Sequence, residues 1–457
     1  MPPRTWTGRA TAPPFVSHPC PRLGSMTTAA HTTSAVSVPS FDLATTVAAW
    51  DALTPAEMRR RGSLKWSQPG ETIGAWVAEM DLGTAPSVSA VLRRAVDTGT
   101  LGYMPASLAQ QAREATARYE SEVLGWQVPV EHISLLPNVL SALGAIIEYH
   151  TRPGSAVIVP TPAYMPFLSI PGQHGRECIQ VPALRTPASA ALGTPGWALD
   201  LEPIESAMAA GAGLLVLCNP WNPVGRVLDP AELDAVAALS TRYGVPVFSD
   251  EIHAPLIVDP AARHVPYASR KGADPDLTFT ATAASKGWNV PGLHCAQLIA
   301  SGQARQTWQS HPLSAALGHE AAALGAAAPA AAFDEGRQWN QAARSYIHAN
   351  ASLAAQRLSA VEGVEITVPA GSYLAWVDFS GLPLPEGESP AAFFTREAGV
   401  VMNDGAAFGR GYESYCRLNL ATGRAIEEET LTRIVDAGGP PQPPARSSSR
   451  SLARVCR

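Results

Sequence analysis

Charge is scarce in this 457-residue chain: 16% of residues are Asp, Glu, Lys or Arg, and the net charge is −6. A basic footprint for nucleic acid is therefore missing, and nucleic acid is not an expected partner. Long apolar runs are missing too. No stretch of 18 or more apolar residues occurs, so no membrane span is expected. Cysteine is sparse, at Cys20, Cys178, Cys218, Cys295, Cys416 and Cys456, irregularly spaced and without a CxxC pair. That speaks against a disulfide scaffold or a structural zinc site and fits scattered reduced thiols in a cytoplasmic protein. Acidic residues are absent from residues 1–41, where Arg4, Arg9 and Arg22 stand among Pro, Ser and Thr. This composition suits a transit peptide or a start placed too early. The Pro-broken, non-amphipathic pattern favours the second, with Met26 as the true start. The tail 438–457, rich in Pro, Ser and Arg, reads as disorder.

What is present is the composition of a globular enzyme, 46% hydrophobic and long enough for two domains. Short apolar runs, Ala156–Val159, Leu214–Leu217 and Val245–Phe248, each stop at polar or turn residues, as buried parallel strands do. A helix is expected over Pro230–Tyr243 with Asp229 as its N-cap. Such alternation implies an α/β sheet with helices on both faces. The Ala-rich stretch Ala315–Leu358 reads as a long linking helix interrupted near Pro329. Strands at Ser372–Asp378 and Ser414–Leu420 and a helix at Glu427–Val435 form a smaller α+β unit.

Ligands on such sheets lie beyond the carboxyl ends of the strands. Asp250 ends an apolar run, where a buried carboxylate calls for a cationic partner or serves as a helix cap. Asn219-Pro-Trp-Asn-Pro-Val-Gly225 forces turn or extended backbone directly after a strand, and offers the Asn222 amide. Lys286 follows the β-prone Leu277–Thr282 among small and apolar neighbours. A lone lysine is ordinarily a surface charge, but burial lowers its pKa and frees the amine for covalent chemistry.

Taken together, Asn-Pro-x-Asn-Pro-x-Gly at 219–225, Ser-Asp-Glu-Ile-His at 249–253 and Ser-Lys-x-x-Asn-x-x-Gly-Leu at 285–293 resemble the class I/II aminotransferase superfamily of fold type I. More narrowly, Leu217–Arg226 and Ser249–Ala254 are similar to the MalY/PatB branch of cystathionine β-lyase-like C–S lyases. Arg61–Trp66, Trp76–Asp81, Gly102-Tyr103 and Arg417–Ala421 agree, and the likeness runs from Asp42 to Ala437. It implies a large domain at 76–314 with a mostly parallel seven-stranded sheet between helices. A segment at 42–75 would join a small α+β domain at 315–437.

The resemblance implies pyridoxal 5'-phosphate as cofactor, held as a Schiff base on Lys286, which also moves the Cα proton. Asp250 matches the carboxylate on the pyridine nitrogen, Asn222 the amide at the 3'-oxygen, and Tyr164 the aromatic stacked on the ring. His253 stands near the 3'-oxygen, where many aminotransferases carry Tyr. Asn138, Val139 and Leu140 match the strand-to-helix turn that holds the phosphate, and Tyr103 a tyrosine reaching the phosphate of the neighbouring subunit in a homodimer. Arg417 matches the arginine of the substrate α-carboxylate. Two positions depart from the pattern: His294 replaces a phosphate-binding Arg or Lys, and Ala283 replaces a Ser for which Ser285 compensates. The implied reaction is β-elimination on cysteine S-conjugates such as cystathionine. The alternatives are amino transfer to a keto acid on the same site, and a non-catalytic protein that kept the fold. Trp221, Trp288 and Met80 are expected near the pocket mouth.

Overall fold

In the computed structural model, residues 41–187 and 196–439 are described. The expectations for the N-terminal extension and the C-terminal tail fall on residues 1–40 and 440–457, outside the described residues, as do Cys20 and Cys456.

Seven strands make the central sheet: β1 (Ile133–Leu136), β2 (Val157–Thr161), β3 (Cys178–Pro182), β4 (Leu214–Cys218), β5 (Val247–Asp250), β6 (Thr278–Thr282) and β7 (Ala296–Ala300). Their order is β1-β7-β6-β5-β4-β2-β3. Only β7 runs against its neighbours. The runs are apolar on both faces because both faces are covered. Val157, Val159, Leu214, Val216 and Phe248 pack into one core, while Ile158, Leu215, Leu217 and Val247 pack into another. That alternation is the two-residue period of a strand buried on both sides.

The helix expected after β4 spans Pro230–Tyr243. Asp229 caps it, accepting from the Ala231 and Glu232 N–H groups at 2.9 Å, and the Glu232 carboxylate returns to the Asp229 N–H at 3.2 Å. The Ala-rich stretch departs from expectation. Instead of one break near Pro329 there are helices at Pro312–Glu320 and Ala323–Ala330, a π turn at Ala331–Glu335, and a long helix at Arg337–Leu358. Pro329 stays inside its helix, and the irregular turn follows it. The long helix starts past Gly336, where a Cβ would meet the Trp288 indole nitrogen at 2.6 Å. The Trp288 indole N–H donates to the Gly336 carbonyl at 3.0 Å. Close packing on Trp288, more than the proline, thus sets where that helix begins.

A second, antiparallel sheet holds β8 (Glu365–Thr367), β9 (Leu374–Asp378), β10 (Asn403–Asp404) and β11 (Tyr415–Asn419) in the order β8-β9-β11-β10. Ile73–Gly74 pairs in parallel with Val400–Val401. The terminal helix, Arg424–Gly438, overruns its expected bounds at both ends. No helix among the described residues is long and apolar enough to cross a membrane.

Glu427, in the first turn of that helix, is fully buried with both carboxylate oxygens lacking a hydrogen-bond partner. Burial pushes its pKa up to about 8, against the opposing pull of Lys65 and Arg424. A carboxyl raised in this way binds more protons folded than unfolded between its ordinary range and pH 8, so its burial costs stability as pH rises through that window. Glu427→Gln should therefore raise the unfolding free energy at pH 8 by on the order of 1 kcal/mol or more, and by little near pH 4.5, in urea titrations at the two pH values.

Candidate active site

β4, β5 and β6 are neighbours in register, with Cys218 opposite Asp250 and Asp250 opposite Ala281. Their carboxyl ends therefore deliver the 219–225 loop, Asp250 and the turn to Lys286 into one place. The loop is fixed by Gly225, at φ 66°, whose missing Cβ would stand 2.4 Å from Pro369. There the loop meets the chain leading into β9. A cavity of about 160 Å³ opens beyond these ends. Asn138, Val139, Leu140, Tyr164, Asn222, Asp250, His253, Ser285 and Lys286 all line it.

Each wall carries a polar group with unspent capacity. Asp250 is 3% exposed, and its side chain accepts one hydrogen bond, from the Ile252 N–H at 3.1 Å. Burial raises its pKa to about 7, although that N–H and Lys286 both favour the ionised form. Lys286 donates to the Ala78 carbonyl at 2.9 Å. Desolvation first and the Arg417 charge second bring its pKa down to about 8, which makes the neutral amine accessible near neutrality. His253 is buried with Nδ1 unpartnered, and burial holds it neutral, with its pKa lowered to about 3. Tyr164 reaches the cavity from the end of β2, and its phenol pKa is raised by burial.

Arg417 lies on β11 and reaches the same place. Its guanidinium donates to the Asn222 side-chain oxygen at 3.1 Å, the Trp76 carbonyl at 2.9 Å and the Asn403 side-chain oxygen at 2.6 Å. All three are neutral oxygens, and Nε has no partner. A guanidinium that is 3% exposed without an anion is costly, and burial brings its pKa down to about 10. An incoming carboxylate would relieve it.

Opposite, Asn138 caps the helix Val139–Tyr149 by accepting from the Ser141 N–H at 2.9 Å. The Val139 and Leu140 N–H groups, in the first turn, have no carbonyl partner within the helix, and both residues line the cavity. This is an anion cradle, and the Asn138 side chain serves it by building the turn.

Two expected residues are elsewhere. Tyr103 is fully exposed and away from the cavity of its own chain. His294 is exposed in left-handed backbone at φ 48°, outside the cavity lining, while its neighbour Cys295 lines it. Trp221, Trp288 and Met80 do not shape a mouth, for all three are buried in the cores. The Trp221 indole is spent on the Pro162 carbonyl at 2.8 Å. Asn403 and Tyr373 were not singled out by the sequence. Asn403 pairs directly across from Arg417 in the small sheet, a relation that only strand register reveals.

The sequence profile described as aminotransferase class I and II matches residues 77–437. The chain belongs to that family. Among its relatives, the cystathionine beta-lyase of Corynebacterium glutamicum is 34% identical over 380 residues, covering 83% of this chain and 97% of the relative. The cystathionine beta-lyase PatB of Bacillus subtilis is 30% identical, covering 81% and 95%. The crystal structure of cystalysin from Treponema denticola, which contains pyridoxal 5'-phosphate, matches with a TM-score of 0.76 at 25% identity, covering 85% of this chain and 98% of that one. The family's sheet and the resemblance to the MalY/PatB branch are both borne out.

The donor set fits that cofactor. A buried carboxylate without a counter-ion suits a protonated pyridine nitrogen, free helix N–H groups suit a phosphate, and a half-titrated amine suits an aldehyde. The anion-free Arg417 remains for an amino acid.

Proposed function

We propose that this protein is a pyridoxal-phosphate-dependent carbon–sulfur β-lyase that splits cysteine S-conjugates such as cystathionine into thiol, pyruvate and ammonia. The observation that carries it is the cavity lined by Asp250 and Lys286, with Arg417 bonded to the lining residue Asn222, each short of its natural ionic partner, in a chain related along its length to cystathionine β-lyases.

When bound, the cofactor supplies an aldehyde that captures the amino group and a ring that takes up electrons. Asp250 would hold the ring nitrogen protonated, Asn222 and His253 would offer hydrogen bonds to the ring oxygen, and Tyr164 would cover the ring. Val139, Leu140 and Ser285 would hold the phosphate. Arg417, braced by Asn403 and Asn222, receives the substrate carboxylate through its fork and so fixes the Cα–H direction. Lys286, whose lowered pKa makes its neutral amine accessible, takes the Cα proton, and the thiolate departs from Cβ. Each residue role here is part of the proposal.

We read the chain as a segment at 42–75, a large domain at 76–314 and a small domain at 315–437, acting as a cytoplasmic homodimer in which Tyr103 completes the partner's phosphate site. The full exposure of Tyr103 and the free thiols of Cys178, Cys218, Cys295 and Cys416 support this.

The test is purified enzyme with cystathionine and no added keto acid. Thiol and pyruvate in equal amounts are expected. Turnover only when a keto acid is supplied would replace the reading with amino transfer.

A further inference from the structure

Residues 76–80 form a strap across the cleft in which every carbonyl is held by a side chain. Trp76 accepts from Arg417 at 2.9 Å, Val77 from Asn419 at 2.6 Å, Glu79 from Asn419 at 2.7 Å and Met80 from Asn289 at 2.8 Å. The Ala78 carbonyl, at the centre, accepts two: Lys286 Nζ at 2.9 Å and the Tyr373 hydroxyl at 2.8 Å. Those two donors use both lone pairs of the oxygen, and together they fix its direction.

Tyr373 is itself immobile. It is fully buried, with its carbonyl held by the Leu420 N–H at 2.9 Å and its ring 6.1 Å from that of His253. Ser372 before it sits at φ 82°, in the left-handed region, with a buried hydroxyl that has no partner. A β-hydroxyl residue held there without a side-chain bond is strained, and Tyr373 follows it directly. Packing alone would be met by phenylalanine. The hydroxyl is aimed at one oxygen, the one that Lys286 uses.

We propose that Tyr373 is a positioning residue for Lys286: it holds the Ala78 carbonyl as the fixed acceptor that receives the lysine ammonium once Lys286 has taken the Cα proton. The inference rests on the reading of Lys286 as the proton acceptor. It does not depend on whether elimination or amino transfer follows. The new ammonium has no carboxylate in hydrogen-bonding contact; burial and Arg417 disfavour its charge, while Asp250 and Glu79 favour it from a distance. The Ala78 oxygen is the acceptor in place. Without the tyrosine hydroxyl, Lys286 is the one side-chain donor left on that oxygen, and its direction is less firmly set.

The test is Tyr373→Phe, with p-aminophenylalanine at 373 as the variant that keeps a donor. In cofactor-free protein, acetylation of Lys286 by acetic anhydride is followed against pH by mass spectrometry. Loosening the Ala78 carbonyl that the Lys286 ammonium donates to should lower the Lys286 titration midpoint by about one unit in Tyr373→Phe. The p-aminophenylalanine variant should restore it. In holoenzyme, exchange of the L-alanine Cα hydrogen in D2O should slow about 10-fold at unchanged half-saturation. L-alanine has no leaving group on Cβ, so this result stands apart from any lyase assay. An unmoved midpoint with unchanged exchange would overturn the proposal and leave Tyr373 a packing residue. A shift that p-aminophenylalanine does not reverse would overturn it as well.

Discussion

Replacing Lys286 with alanine should leave a folded protein that releases pyruvate from cystathionine at least about 10⁴-fold more slowly. The size follows from position. Lys286 is the amine that faces the cavity with its pKa brought down toward neutrality, and its single hydrogen bond is to the Ala78 carbonyl. Among the other groups lining the cavity, burial lowers the His253 pKa to about 3, which makes it a weak base, and the Asp250 carboxylate accepts the Ile252 N–H. Neither replaces the lost base. The variant should also lose the covalent attachment of the cofactor, read as loss of its visible absorbance after gel filtration. Retention of both band and turnover would remove Lys286 from the mechanism.

Asp250→Asn should produce opposite changes in stability and in rate. The folded Asp250 carboxyl has a pKa of about 7, raised chiefly by burial. The folded protein therefore binds more protons here than the unfolded chain from the ordinary Asp range up to pH 7, and stability is lost as pH rises through that window. Asparagine keeps the oxygen that accepts the Ile252 N–H and removes the charge. Cofactor-free Asp250→Asn should be more stable than the parent at pH 8 by on the order of 1 kcal/mol or more, with little difference at pH 4. Turnover should fall by about 10²–10³-fold, because a preorganised charge facing the reacting system is gone. A variant that gains stability and keeps its rate would show that Asp250 does not meet a cation. A buried charge kept at a cost to stability is what a functional site predicts.

The central sheet was legible because its signals are local. Val157–Thr161, Leu214–Cys218 and Val247–Asp250 are short runs buried on both faces, and the Asp229 cap announces its helix within four residues. Strand ends then pointed to Asn222, Asp250 and Lys286 without any knowledge of neighbours. What escaped depends on register and on distant packing. Asn403 matters because β10 sets it opposite Arg417. Tyr373 matters because an oxygen nearly three hundred positions earlier in the chain lies within reach of its hydroxyl. The Ala-rich stretch misled because its break is fixed by the Trp288 indole against Gly336, a contact between segments far apart in sequence. Trp221, Trp288 and Met80 misled in another way: large side chains beside site residues suggested a pocket wall, while all three are buried in the cores.

The fate of the amino nitrogen tests the account most directly. Cystathionine carrying ¹⁵N on its cysteine-derived amino group is given to the enzyme together with an excess of a keto acid. The account predicts that the label appears as free ammonia in step with pyruvate and thiol. Label transferred into the amino acid formed from the keto acid, with no thiol released, would contradict it.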